Sequence, residues 1–213
     1  MKSTLFNMVA VLFTITLIAS AGVGAVNMIT EDAIAEANRQ ATVAAVANVL
    51  PAFEKSEMST MTIDDMPINI YTAVDGSGAV VGYAVETMTM SGFSGKVRMM
   101  VGFDAEGTIL NVNVLEQSET PGLGSKMCDE GNVLLASVQG KNPANLKLKV
   151  KKDGGDIDAL TAATISSRAY ADAVARAYEA FKVASGAQES TDGVSDATAT
   201  HEGHDAQEGG DNE

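Results

Sequence analysis

Hydrophobic residues follow three patterns along the chain, and the first is an unbroken run near the start. Residues 5–26 carry no charge over 22 positions, which is enough to cross a hydrocarbon core of roughly 30 Å as a helix. Ala19 to Ala21 resemble a signal-peptidase site, so a cleaved signal peptide is the alternative interpretation. The apolar run continues past that site, which favours a retained anchor. Lys2 precedes the run and Glu31 and Asp32 follow it, a charge bias that predicts the main domain outside the cytoplasm.

A second helix is predicted directly after the anchor. Thr30 is a candidate N-cap, and acidic residues follow it in the first turn. The apolar face of this segment consists mostly of alanine, and Pro51 ends it. The pattern predicts a helix over residues 31–50 that carries the chain from the membrane into the domain.

The second pattern is alternation of apolar and polar residues, and it predicts an antiparallel sheet. Four alternating segments are joined in pairs by turns rich in Asp and Gly, which predicts two β-hairpins. Residues 146–150 are predicted to add a fifth strand. The paired strands are expected at 68–73, 80–86, 96–103 and 108–115.

The third pattern is a helical stripe of large apolar residues over residues 166–182, which is expected to pack on the sheet. The fold class is therefore α+β: an N-terminal transmembrane helix, an antiparallel-sheet domain with flanking helices, and a tail. The expected divisions are a membrane anchor at 1–29, an extracytoplasmic domain at 30–184 and a tail at 185–213.

Charge and composition exclude several classes of function. The formal net charge is −14, and the chain has no basic stripe for nucleic acid. The predicted tail contains eight acidic residues and no Lys or Arg, so we expect it to be disordered. Cys128 is the one cysteine, which excludes an internal disulfide and a cysteine-ligated iron–sulfur cluster within the chain. Both histidines lie in the tail, so no catalytic and no metal-binding residue is assigned to the domain.

Two segments remain as candidate sites. Residues 119–126 (ETPGLGSK) fit a surface turn, or a loop whose glycines let the backbone approach a flat ligand. In residues 158–168 (DALTAATISSR), hydroxyl residues stand where a helix begins. Taken alone, Thr164 or Ser166 fits best as an N-cap. The second interpretation is a phosphate esterified to the Thr164 hydroxyl, whose charge the helix N-terminus would stabilise.

Together, Glu119-Thr-Pro-Gly-Leu-Gly124 and Asp158-Ala-Leu-Thr-Ala-Ala-Thr164-Ile-Ser-Ser resemble the FMN-binding domain of the G subunit of Rnf electron-transport complexes. The resemblance covers roughly residues 5–182 and includes the Gly92-Phe-Ser-Gly95 segment. In that family a membrane-bound flavin transferase moves FMN from FAD onto the last threonine of an S/T-G-A-T motif, with Ala162 here in place of the glycine. The resemblance implies FMN in phosphoester linkage to Thr164. It also implies a surrounding cofactor site of Thr161, Ser166, Ser167, Glu119, Thr120, Gly122, Leu123 and Gly124.

The same resemblance implies an electron-carrier subunit that is not catalytic alone. It implies a single-pass protein of the bacterial inner membrane whose partners are the other membrane and iron–sulfur subunits, the flavin transferase and the lipid bilayer. The nearest alternative is the C subunit of the sodium-translocating NADH:quinone oxidoreductase, which has a similar flavinylated domain. A second alternative is a non-redox, membrane-tethered binding module in which Thr164 only caps a helix.

Overall fold

The computed structural model describes residues 5–186, so most of the predicted tail, and with it both histidines, lies outside the described residues. Three α-helices and five strands make up the described chain, with short 3-10 turns between β5 and α3. The element bounds are α1 Leu5–Val49, β1 Lys55–Ile63, β2 Met66–Val74, β3 Val80–Gly92, β4 Gly95–Phe103, β5 Ile109–Gln117, α2 Val133–Val138 and α3 Thr164–Ala184.

The five strands form one antiparallel sheet in the order β1-β2-β3-β4-β5. The two predicted hairpins are confirmed as β2–β3 and β4–β5, and the α+β class is confirmed with them. The predicted strand at 146–150 is wrong, because Val150 makes only an isolated parallel bridge to Ile157. The fifth strand is β1, which joins β2 through Asp64 and Asp65 at φ 50° and 60°, the positive values that a tight hairpin turn requires.

Helices cover the two faces of the sheet. Helix α3 packs on one face, where its buried Val174 and Phe181 join Val85, Val101 and Phe103 of the central strands. The end of α1 packs on the other face and forms a smaller core with Met100. On that side a side chain at Gly102 would collide with the backbone of Val49, so glycine is what lets the helix approach β4 closely.

Helix α1 is continuous through the predicted boundary at Thr30, so the predicted N-cap there is wrong. The Thr30 hydroxyl donates a hydrogen bond to the Val26 carbonyl, four residues earlier, at 2.9 Å. A threonine that bonds back in this way is accommodated inside a helix and does not begin one. The predicted end just before Pro51 is confirmed. Among the described residues, the N-terminal part of α1 is the one segment long and apolar enough to cross a membrane.

Candidate functional site

A cleft of about 300 Å³ opens where the segment after β5 meets the start of α3, a size within the usual range of small-molecule sites. Three separate segments supply its walls: the β3–β4 turn, the loop after β5, and the residues around the first turn of α3. None of the described residues that line it is ionisable. They are Phe93, Thr120, Leu123, Gly124, Ala162, Ala163, Thr164, Ile165 and Ser166.

The buried carboxylate of Glu119 joins these three segments behind the cleft. Glu119 is 4% exposed. Its Oε1 accepts a hydrogen bond from the Ser94 N–H at 3.0 Å, and its Oε2 accepts one from the Ser166 hydroxyl. Because a buried carboxylate is costly unless its oxygens are paired, these two bonds fix the turn and the helix start relative to the loop.

Gly124 makes this close arrangement of loop and helix possible. A Cβ at position 124 would collide with the Ser166 hydroxyl and would lie 2.8 Å from the Cβ of Glu119. Any side chain there would therefore separate the loop from α3. The loop also closes on itself, since the Ser125 hydroxyl accepts a hydrogen bond from the Gly122 N–H at 2.9 Å.

The start of α3 places Thr164 at the cleft, where its side chain does not cap the helix. Ala163 occupies the N-cap position and makes no side-chain capping bond, so Thr164 is the first residue of the helix. The predicted capping roles of Thr164 and Ser166 are therefore wrong. Among the described residues, the Thr164 hydroxyl has no hydrogen-bond partner, and the backbone N–H groups of residues 164–166 have no acceptor.

The two serines that follow are occupied inside the protein. Ser166 is 3% exposed and donates to Glu119, and Ser167 is fully buried. The Ser167 hydroxyl donates to the Ala163 carbonyl at 2.9 Å and accepts from the Leu160 N–H at 2.9 Å. These bonds hold the turn before α3 against the helix, whose first three residues line the cleft.

Ala162 holds a strained backbone immediately before the helix. Its φ is 59°, in the left-handed region where a Cβ is unfavourable. A glycine would take this conformation without penalty. The strain is confined to this one turn, and the turn brings Thr164 to the cleft.

The nearest charged pair lies outside the cleft lining. Arg168 donates two hydrogen bonds to the Asp153 carboxylate, at 2.6 and 2.7 Å. This pairing lowers the pKa of the Asp153 carboxyl, mainly through the hydrogen bond from Arg168. Arg168 is therefore already paired, and the polar groups left for an anion at the cleft are the backbone N–H groups of residues 164–166 at the helix N-terminus.

The structure brings some of the residues that the sequence marked to the cleft and leaves others away from it. Thr120, Leu123, Gly124, Thr164 and Ser166 line it. The other four do not: Glu119 and Ser167 are buried behind the cleft, and Thr161 and Gly122 are exposed beside it.

Four lining residues were not assigned to the site from the sequence: Phe93, Ala162, Ala163 and Ile165. Phe93 is 65% exposed at the tip of the β3–β4 turn. A large aromatic residue at the tip of a Gly-Phe-Ser-Gly turn was the signal that could have found it, since such turns usually carry polar residues.

The cleft fits the flavin mononucleotide that the resemblance implied. The unpaired N–H groups of residues 164–166 suit a phosphate, and the exposed apolar surfaces of Phe93, Leu123 and Ile165 suit a flat aromatic ring. Residues 92–179 match the family described as the FMN-binding domain. This match, over residues that include most of the cleft lining, makes the chain an FMN-binding domain protein.

Relatives of the whole chain narrow this class. The G subunit of the ion-translocating oxidoreductase complex from Shewanella amazonensis is 35% identical over 75% of this chain and 80% of its own length. The protein of the same name from Shewanella baltica is 32% identical over 83% and 89%. The G subunit of the Na(+)-translocating ferredoxin:NAD(+) oxidoreductase complex from Acetobacterium woodii is 29% identical over 77% and 85%.

The solved structure of NqrC from Shewanella oneidensis is 21% identical and has a TM-score of 0.37, covering 62% of this chain and 65% of that one. By the identity and coverage of the Shewanella relatives, the chain belongs to the G-subunit family of ion-translocating oxidoreductase complexes. This confirms the family that the sequence motifs indicated. The apolar helix and this family membership together make the chain a membrane protein.

Proposed function

We propose that this chain relays electrons within a membrane-bound, ion-translocating oxidoreductase complex through FMN attached to Thr164 by a phosphoester bond. Its family and its FMN-binding domain support the flavoprotein role. The observation that carries the attachment is the position of Thr164 at the helix start, with its hydroxyl unpaired among the described residues and facing the cleft beside three unpaired backbone N–H groups.

The choice of Thr164 rests on the contrast with the neighbouring hydroxyls. Ser166 and Ser167 are buried and hydrogen-bonded inside the protein, so esterification of either would break those bonds. Thr161 is exposed but does not line the cleft. Thr164 alone among these four combines access with a place on the cleft wall and an unpaired oxygen.

The first turn of α3 compensates the charge of a phosphodiester at Thr164. Because no described lining side chain is ionisable, this task falls to the N–H groups of residues 164–166 and the helix dipole. At an exposed site that dipole contributes about 0.3–1 kcal/mol. Helix α3 is 21 residues long and packed along the sheet, so these groups are held in place and need no rearrangement.

Attachment itself is a phosphoryl transfer with FAD as the donor, carried out by a flavin transferase. The Thr164 Oγ bonds to the flavin-side phosphorus, the bond to the AMP portion breaks, AMP leaves with the bonding electrons, and the hydroxyl proton is released. Ala162 and Ala163 are small, which leaves room beside Thr164 for the transferring enzyme.

The flavin ring supplies one- or two-electron chemistry, and the domain supplies a surface that positions it. Phe93, Leu123 and Ile165 are 65%, 40% and 46% exposed, and these side chains would hold the ring by their apolar surface. Because the tether prevents dissociation, the carrier stays at high effective concentration beside its partners. Those partners are the other subunits of the complex, with α1 in the lipid bilayer and the domain on the extracytoplasmic side.

Ultraviolet fluorescence of the denatured chain on a gel tests the attachment. The chain is co-expressed with the flavin transferase, and the wild type is compared with Thr164→Val, Thr161→Val and Ser166→Ala. A band that persists in Thr161→Val and Ser166→Ala and disappears in Thr164→Val is expected. A band that survives Thr164→Val places the bond elsewhere, and no band in native membranes favours the non-redox binding module.

A further inference from the structure

A lysine-rich segment lies along α3 on a chain that is acidic as a whole. Residues 147–152 (KLKVKK) contain four lysines, whereas the net charge of the chain is −14. Two adjoining grooves of about 510 and 610 Å³ run between this segment and α3. We call them together the lysine groove; Leu148, Lys149, Asp153 and Ala175 line both parts, and Lys147 and Tyr178 line the second.

The carboxylates that line the lysine groove already have cationic partners. Asp153 accepts hydrogen bonds from Arg168. Asp172 lies 3.4 Å from the Arg176 guanidinium and accepts a hydrogen bond from the Thr89 hydroxyl. Glu179 pairs with Lys182 at 2.7 Å. The charges of Lys149 and Lys152 also help to lower the pKa of the Asp153 carboxyl, but none of these three carboxylates lies within ion-pair distance of a lysine of the segment.

Three lysines of the segment differ from the fourth in their surroundings. Lys151 pairs with Asp158 at 2.7 Å. In the described part of the chain, by contrast, no carboxylate lies within ion-pair distance of the amino groups of Lys147, Lys149 or Lys152. The lysine groove therefore combines apolar walls with the unpaired amino groups of Lys147 and Lys149, and Lys152 stands next to its lining residue Asp153 in the chain. Such a surface fits an acidic segment.

The chain itself supplies an acidic segment next to this surface. Beyond the described residues, 27 residues from 187 to 213 follow the end of α3 and carry eight carboxylate side chains and no Lys or Arg. Ala175 lies nine residues before the end of α3, or about 14 Å along the helix. Ser185 and Gly186 are bonded back to the carbonyls of Phe181 and Val183, so the reach is counted from Gly186. Asp192 follows Gly186 by six residues, which span up to about 20 Å when extended, so the acidic residues from Asp192 onward can reach the groove.

We propose that the acidic tail, residues 187–213, docks along the lysine groove of its own chain, where its carboxylates pair with Lys147 and Lys149 in the groove and with Lys152 beside it. Exposed ion pairs are individually weak and are screened by salt. Tethering compensates for this weakness, because a short link gives an effective concentration on the order of millimolar. The contact is therefore intramolecular and sensitive to ionic strength.

Docking changes the surface beside the cleft. The groove extends to Arg168, one helical turn after Thr164. A docked tail covers the positive surface there and excludes other polyanions from it. The contact does not depend on flavin attachment, so it is expected unchanged in Thr164→Val.

Carbodiimide cross-linking, which joins a carboxylate and an amine that touch, tests the docking. The full-length chain is treated at low concentration in detergent, as an equal mixture of unlabelled and nitrogen-15-labelled chains, and the linked peptides are measured by mass spectrometry. Lys126 is also exposed and has no ion-pair partner among the described residues, so it serves as the internal control.

Links from tail carboxylates to Lys147, Lys149 and Lys152 are expected to exceed links to Lys126 by about tenfold at low salt and to fall to the Lys126 level at about 0.5 M salt. The links are expected within chains of one isotope. Equal linking to Lys126 overturns the proposal. Links between chains of different isotopes overturn it, because the tail then docks on a second copy of the chain. Links in native membranes from these lysines to another protein, in place of the tail, also overturn it, because the groove then binds a partner protein.

Discussion

The left-handed backbone at Ala162 leads to a quantitative prediction for stability. Its φ of 59° costs a residue with a Cβ about 1–2 kcal/mol. Glycine avoids this cost. Because its unfolded chain has more conformational freedom than that of alanine, however, glycine lowers the free energy of unfolding by about 0.5–1 kcal/mol. The Ala162 methyl group is exposed, so its removal creates no cavity. Ala162→Gly is therefore expected to raise the free energy of unfolding by about 0.5–1 kcal/mol.

Thermal unfolding of the purified chain in detergent, followed by circular dichroism, measures this gain. For a domain of this size, 1 kcal/mol corresponds to about 2–4 °C in Tm, so a rise of about 1–4 °C is expected. Ala163→Gly is the matched control, because Ala163 has φ −132° and is 7% exposed. Loss of its buried methyl should lower the Tm. A fall of the same size in both variants would refute the strain assigned to Ala162.

Three further predictions concern the surroundings of the cleft. Glu119→Ala leaves the Ser94 N–H and the Ser166 hydroxyl without their acceptor. Unfolding in urea should show a free energy of unfolding lower by about 1–3 kcal/mol, and an unchanged midpoint would contradict the stabilising role of these two bonds. Gly124→Ala pushes the loop after β5 away from α3. It should lower the free energy of unfolding by about 1–3 kcal/mol and lower the flavin-to-protein absorbance ratio. Wild-type values of both would contradict the close contact between loop and helix. Cys128 is exposed, but desolvation by neighbouring atoms raises the pKa of its thiol. The midpoint of its alkylation rate against pH should therefore lie above about 8.5, the value of a free cysteine, and a lower midpoint would count against that desolvation.

The sequence predicted the elements that carry strong local signals. The β2–β3 and β4–β5 hairpins have Asp–Gly turns between alternating strands, and α3 has large apolar residues at helical spacing. These signals are local, so they predict the elements without knowledge of the tertiary structure. The family followed from two short motifs taken together.

The two errors in the sheet have a common physical cause, which is that alternation does not reveal what pairs with a segment. Most side chains of β1 are exposed, and the strand is held by its ladder with β2. Residues 146–150 alternate because Leu148 packs toward the core while the lysines remain exposed. Their backbone bonds locally, as in the 2.7 Å bond from the Lys149 N–H to the Lys147 carbonyl.

The errors at helix ends have a different cause. Thr30 and Ser166 are hydroxyl residues of the type that caps helices, but both are satisfied by other bonds. The bond from Ser166 reaches Glu119, 47 residues away, and no local pattern indicates it. The sequence predicted part of the cleft, because the two segments that it marked are local motifs. Phe93 comes to the cleft only through the tertiary structure, which no local pattern indicates.

Intact mass of the chain extracted from native membranes tests the proposed attachment most directly. We predict a chain heavier than its sequence by FMN less one water, with the increase absent in Thr164→Val and present in Thr161→Val. An unmodified mass in the wild type, or an increase that persists in Thr164→Val, would contradict the assignment of Thr164 as the flavin anchor.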